Sequence, residues 1–386
     1  MSPVSPGDPS QNTSLLPGAE QALRVIVPTR NEARALPRLL RDLHAQQDVR
    51  LRISVADGDS QDATCDQARR AGAEVVRCVA GRGRQMNTAW QACTESTLLF
   101  LHADSRLPDT QLLARALRDW QPLRTTTAGH FRLRFADAPD PQSRFFRHLR
   151  YKSGLNKPQT YNGDQGLLID RALLARAGGF DTALPFLEDQ ALAAALTAVG
   201  AQLHTLPGEL HTSARRFTAE GTGARYFAML LIMCAREAGC TAFLRDAPTL
   251  YREQSRAGRL DVAPLLDRLL DEARTQPEAW TQVARYLRDN AWQLPAWLDT
   301  LTRLAPDNPV APARPGPWLA LYEQRLESAV RRFDHADPWI AQMLKTGFGR
   351  VLPRLLPRPA AAAGPDGSRA STDTSPATRP PGQTTH

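Results

Sequence analysis

No stretch of this 386-residue chain is apolar for long enough to cross a bilayer. The longest, Phe227 to Ala235, falls far short of the roughly 20 residues a spanning helix needs. The first residues, MSPVSPGDPSQNTS, carry neither a basic start nor an apolar run, so a secretory signal is not expected. Cysteine is sparse: Cys65, Cys78, Cys93, Cys234 and Cys240 form no CxxC pair and no zinc spacing with histidine. That predicts reduced thiols and a cytoplasmic chain, with peripheral contact at the inner face of the membrane left open. Lysine is nearly missing. Lys152, Lys157 and Lys345 are its three occurrences, so arginine carries nearly all the basic charge behind the net +8. The arginines form no run and no stripe interleaved with aromatics, which argues against nucleic acid as a partner. A guanidinium fork matches phosphate oxygens, so a small phosphate-bearing ligand suits this composition as well.

The apolar fraction, 42%, is enough to bury a core. Residues 1–20 are rich in Ser, Pro, Gly and Asn and read as a disordered leader. From Leu23 short β-rich runs alternate with helical periodicity: Leu23–Pro28, Arg52–Ala56, Glu74–Cys78 and Thr97–His102 as strands, with helices between them. This order predicts an α/β domain over 21–226 with a mainly parallel, Rossmann-like sheet. Beyond it, 227–352 shows purely helical spacing and reads as an all-α accessory region. Trp280, Trp292, Trp297, Trp318 and Trp339 are its expected core anchors, and self-association through it is left open. The apolar helix from Arg225 to Arg236 is expected to pack, with a dimer seam or a membrane surface as alternatives. Residues 353–386 collapse into Pro, Ala, Gly, Ser, Thr and Arg and read as a disordered tail.

Ligands of an open parallel sheet bind at the carboxyl ends of its strands. Four successive strand ends carry Pro28-Thr-Arg-Asn-Glu32, Asp57-Gly-Asp-Ser60, Gly81-Arg-Gly-Arg-Gln-Met-Asn87 and His102-Ala-Asp104. Each has an ordinary explanation as a cap, a turn or a basic loop, and Gly81-Arg-Gly-Arg84 lacks the Gly-Lys-Ser/Thr ending of a phosphate loop. Their conjunction in this order marks one sheet edge as a site.

With these motifs, Asn162-Gly-Asp-Gln-Gly166, Gly178-Gly-Phe-Asp181, Leu187-Glu-Asp-Gln190 and Thr212–Phe217 in the same order, the chain resembles family 2 glycosyltransferases with the GT-A fold. It is most similar to the subgroup associated with radical-SAM/selenodomain proteins. The resemblance implies a transferase using a nucleotide-diphospho-sugar, with a UDP-sugar favoured, an unidentified hydroxyl acceptor and inversion at the anomeric carbon. It puts Pro28, Thr29, Asn31, Glu32, Asp57, Asp59, Arg82, Arg84, Gln85, Asn87 and Asp104 around the nucleotide. Asp189 is implied as general base, with Glu188 the runner-up. Gly163, Asp164, Gln165 and Arg216 are implied on the acceptor side.

Asp104 matches the last aspartate of the family's Asp-x-Asp motif, which holds Mg2+ or Mn2+ against the diphosphate. His102 replaces the first aspartate, and His211 is a further candidate ligand. Two other readings stay open. A nucleotidyltransferase lacks support because its Gly-rich, lysine-bearing loop is absent after the first strand. A non-catalytic nucleotide-sugar or partner-binding protein on the same fold is kept open by the His102 substitution.

Overall fold

A computed structural model describes residues 22–157, 160–255, 260–302 and 314–352. The expected leader and tail lie outside the described residues. Seven strands form one sheet: β1 (Leu23–Thr29), β2 (Leu51–Asp57), β3 (Glu74–Arg77), β4 (Thr97–Phe100), β5 (Thr127–Arg134), β6 (Leu167–Asp170) and β7 (Gln202–His211). Their spatial order is β3-β2-β1-β4-β6-β5-β7. The first four are parallel, β6 runs antiparallel to both β4 and β5, and β5 pairs parallel with β7. Six strands therefore point one way and β6 alone points back, a mainly parallel sheet as expected.

Helices α1 (Leu36–His44), α2 (Thr64–Arg70), α3 (Arg82–Ala92), α4 (Leu112–Trp120), α5 (Arg144–Ser153), α6 (Arg171–Arg176) and α7 (Glu188–Ala198) accompany the sheet. The run Leu23-Arg-Val-Ile-Val27 explains why β1 sits inside the sheet, between β2 and β4. Leu23, Val25 and Val27 face a core with Leu36, Leu39 and Leu40 of α1 and Leu113 and Trp120 of α4. Ile26 faces the opposite core, built with Met86 and Ala89 of α3 and Leu192 and Leu196 of α7. Alternating side chains thus fill both faces, as a strand buried on both sides requires.

The Gly81-Arg-Gly-Arg84 stretch is not a loop. Gly81 has φ of 138°, a left-handed value open to glycine, and α3 begins immediately after it at Arg82. The chain therefore delivers Arg82 from the first turn of a helix.

The helical region comprises α8 (Arg215–Glu220), α9 (Thr222–Glu237), α10 (Thr241–Ser255), α11 (Ala263–Thr275), α12 (Ala279–Asp289), α13 (Gln293–Leu301), α14 (Pro317–Leu321), α15 (Glu327–Arg332) and α16 (Asp337–Thr346). The expected boundary at residue 226 falls inside α9. Ala228, Leu231, Cys234 and Ala235 of α9 are buried against α10, α11 and α12, so this apolar helix packs within the region. Among the described residues no helix is long and apolar enough to cross a membrane. Trp292 is buried and Trp297 stacks on His148, but Trp318 and Trp339 are 42% and 78% exposed and anchor no core. The physical reason is visible on α16, where Ala341 and Leu344 supply the inward face instead.

Candidate active site

The carboxyl ends of β1 and β2 meet through side chains. Thr29 Oγ1 donates to Asp57 Oδ1 at 3.2 Å, and Ser60 donates to the same carboxylate through both its amide and its hydroxyl. Burial opposes ionisation of Asp57, but the Ser60 bonds, with Cys65 and Thr29, outweigh it and hold the group below its usual range. Asn31 and Asp59 both adopt positive φ at the rim. Asn31 Oδ1 accepts from the Gln61 amide, and Asp59 accepts from the Gln61 side chain. Pro28 is half-buried between the buried Val27 and Thr29. Arg84 is exposed on α3, one turn from Thr88.

Two of the polar residues in the third motif face inward. Gln85 is 5% exposed, and its Nε2 donates to the carbonyls of Thr29 and Ala56 at 2.8 Å each. It ties β1 to β2 beneath the rim. Asn87 donates to the Phe180 carbonyl and accepts from the Phe180 amide, fastening the Gly178–Asp181 loop to α3. Both amides are spent on backbone groups.

A second cluster, reached from the first turn of α3, carries charge. Glu188 and Asp189 open α7, 2% and 9% exposed, directly after Leu187, whose φ of 63° is a left-handed conformation for a branched side chain. Strain of this kind persists where the surroundings enforce it, and here it aims the acid pair. Arg82 Nη1 reaches Glu188 Oε1 at 3.0 Å. Asp189 Oδ2 accepts from the Gly163 amide at 2.5 Å and its Oδ1 from the Gln190 amide at 2.7 Å. Burial, followed by the charge of Glu188, raises the proton affinity of Asp189; the Gly163 bond and Arg82 work against that rise.

Gly163, Asp164 and Gln165 form one turn of 3-10 helix, closed by a capping box between Asn162 and Gln165. Asp164 Oδ1 lies 2.6 Å from His102 Nδ1. Burial would raise Asp164, but the His102 hydrogen bond and the charges of His102, Arg82 and Arg216 hold it well below the usual range. Gln165 is fully buried and faces away from the cluster. Its amide donates to His130 Nδ1 and to the Ser153 carbonyl, while His130 Nε2 donates to Asn156 Oδ1. Burial pushes His130 down to about 4, which keeps it neutral and suited to that tautomer.

Two groups outside the sequence expectation belong here. Tyr161, 2% exposed, lies in the field of Asp189, Glu188 and Asp164, and burial first and those charges next push its phenol well up. Arg215 Nη2 stands 4.0 Å from Asp104 Oδ2. The doubled arginine in Ser213-Ala-Arg-Arg216 was the available signal for Arg215, whereas nothing local distinguishes Tyr161.

The expected metal donors are not gathered. Among the described residues no group of three or more His, Cys, Asp or Glu is placed to hold a metal ion. His102 spends Nδ1 on Asp164, and His211 ends β7, where its backbone bridges Arg106. Asp104 instead shares a field with Glu32, whose proton affinity is raised by burial and then by Asp104, and with Arg215. The residues present do not fit a three-donor site.

The segment that carries the clusters at the ends of β1, β2 and β4 is similar to a known family. Residues 24–171 match the model of Glycosyl transferase family 2. The family 2 segment runs from β1 to the start of α6 and holds the first four motifs and the Gly163 turn, while Glu188 and Asp189 follow it. A curated relative, 4,4'-diaponeurosporenoate glycosyltransferase of Staphylococcus haemolyticus, is 47% identical over 55 residues, 14% of each chain. Among solved structures, mannosyltransferase PcManGT from Pyrobaculum calidifontis, in complex with GDP-Man and Mn2+, is 20% identical over 85% of this chain and 87% of that one, with a TM-score of 0.43. The S. aureus TarS fragment 1-349 with UDP is 15% identical over 78% and 91%, with a TM-score of 0.44.

Proposed function

We propose that the chain is a glycosyltransferase that moves a sugar from a nucleotide-diphospho-sugar to an acceptor hydroxyl, with Asp189 as general base. The observation that carries this reading is the buried acid pair of α7, with Asp189 held by the Gly163 amide and Glu188 met by Arg82 of α3, the helix whose Gln85 ties the carboxyl ends of β1 and β2 in the segment matched by the family 2 model. Asp189 takes the proton of the acceptor hydroxyl as its oxygen attacks the anomeric carbon. The bond from that carbon to the diphosphate oxygen breaks, its electrons leave with the nucleoside diphosphate, and the configuration inverts. A carboxylate with raised proton affinity is a better base than an exposed one, provided it stays ionised at the working pH. The Gly163 and Gln190 amides fix its lone pairs toward one direction.

Thr29, Asn31, Glu32, Asp57 and Asp59 line the donor side in this reading, a UDP-sugar being favoured, with Arg82 and Arg84 at the phosphate end. Gly163, Asp164 and Arg216 line the acceptor side. A divalent cation, Mg2+ or Mn2+, would have Asp104 as its one ligand from the motif, and no step of the reaction above depends on it.

The test is a thermal-shift titration of the full chain with UDP, GDP and their sugars, with and without Mn2+, followed by turnover of any binder. Asp189→Asn is expected to keep donor binding and to lose about 100-fold or more in turnover. Binding of no nucleoside diphosphate under either condition rejects the transferase reading, and unchanged turnover in Asp189→Asn rejects the base.

A further inference from the structure

His102 occupies the place of a metal-binding aspartate, yet its contacts lead elsewhere. Nδ1 donates to Asp164 Oδ1 at 2.6 Å. The ring lies over the neighbouring turn so closely that a Cβ on residue 163 would stand 2.7 Å from Nε2 and 3.4 Å from Asp189 Oδ2. Glycine at 163 is what lets the imidazole, the turn and the carboxylate approach one another. The Gly163 amide in turn makes the 2.5 Å bond to Asp189. Phe100, at the end of β4, pairs with Leu167, at the start of β6, so the two strands bring His102 and the turn to one sheet edge.

We propose that His102 is a positioning residue: through Asp164 it clamps the 162–166 turn, so that the Gly163 amide holds the Asp189 carboxylate in register. The proposal rests on the base role of Asp189 given above. It gives the histidine of the motif a task on the acceptor side. An aspartate at this position would face Asp164 with a second negative charge and release the turn.

Three variants of the full chain test this. Asn carries its amide nitrogen at the same number of bonds from the backbone as His Nδ1, so His102→Asn keeps the donor to Asp164. His102→Asp restores the family's acidic pair but repels Asp164. The double variant His102→Asp with Asp164→His rebuilds the hydrogen bond in reverse. Two readouts are taken: hydrogen exchange of the 160–166 backbone, and release of nucleoside diphosphate from UDP-GlcNAc and GDP-mannose with water or an added acceptor.

For His102→Asp the expectation is about tenfold faster exchange and about tenfold lower kcat, with donor KM within about twofold. His102→Asn stays within about threefold of the parent in both, and the double variant recovers the exchange rate of the turn, the readout that does not depend on Asp164 as an acceptor contact. Retained or increased turnover in His102→Asp with Mn2+ present overturns the proposal. So does unchanged exchange, or a double variant that melts like the parent and does not recover the exchange rate. If the parent turns over no donor, the transferase reading fails, and the exchange measurements alone decide whether the clamp exists.

Discussion

Burial and the adjacent Glu188 raise the proton affinity of Asp189, and Arg82 acts in the opposite sense from 3.0 Å beyond Glu188. A general base works when ionised, so its folded-state pKa sets the acidic limb of the rate profile. Removing Arg82 removes a lowering influence, and the limb moves to higher pH. Arg82→Gln is therefore expected to lose activity below neutrality and to recover it as pH rises, measured as kcat/KM against pH. An unchanged limb with a raised donor KM would instead assign Arg82 to the diphosphate alone. Gln85, Asn87 and Gln165 carry a different lesson at this scale. Their sequence neighbourhoods mark them for ligand contact, yet Gln85 and Asn87 serve buried backbone groups and Gln165 serves Ser153 and His130. An amide that satisfies a buried carbonyl and one that meets a ligand have the same local sequence, because the choice depends on what lies across the fold.

Helix α3 begins directly on the site, and its position is set by close approach to the Gly178–Asp181 loop. A Cβ on Gly83 would stand 2.6 Å from the Asp181 carbonyl oxygen, a backbone atom that cannot swing aside. Gly83→Ala is expected to lower stability by about 1–3 kcal/mol in urea denaturation and to displace Arg82, so turnover falls with it. The short apolar runs of β1 to β4 were legible because those strands are buried on both faces or pair directly with ones that are. The α3 start was not, since glycine beside arginine reads as a loop until the left-handed Gly81 is seen. Helix α5 escaped for another reason. Its inward face includes His148 and Ser153, which apolar periodicity does not register. The acid pair was found through its motif, but Leu187's left-handed backbone just before it is a tertiary effect with no mark in composition.

The α/β domain and the helical region share a seam at α5, α9 and α13. Lys152 of α5 lies there, its ammonium about equally far from the Tyr226 and Trp292 rings and 2.9 Å from Gln293 Oε1. Burial lowers its pKa to about 8, against an ordinary value of 10.5. The folded chain therefore holds this proton less tightly than the unfolded chain, and stability rises with pH between about 8 and 10.5. Below 8 the full penalty applies. Lys152→Met is expected to be more stable than the parent at pH 7 by about 1–2 kcal/mol, the lost Gln293 bond included. The difference should shrink as pH rises above 8 and change sign before pH 10.5, where only the lost Gln293 bond remains, in a series of denaturant melts. At the largest scale the reversed strand β6 has its own consequence. Most of the sheet hands residues to the site as each strand leaves it, but β6 delivers Gly163 and Asp164 on the way in. The chain stretches that would recognise donor and recipient thus arrive at one edge travelling in opposite directions. On the proposed reading, substitutions in the segment between β5 and β6 would alter the choice of recipient and leave the donor contacts on β1, β2 and α3 in place.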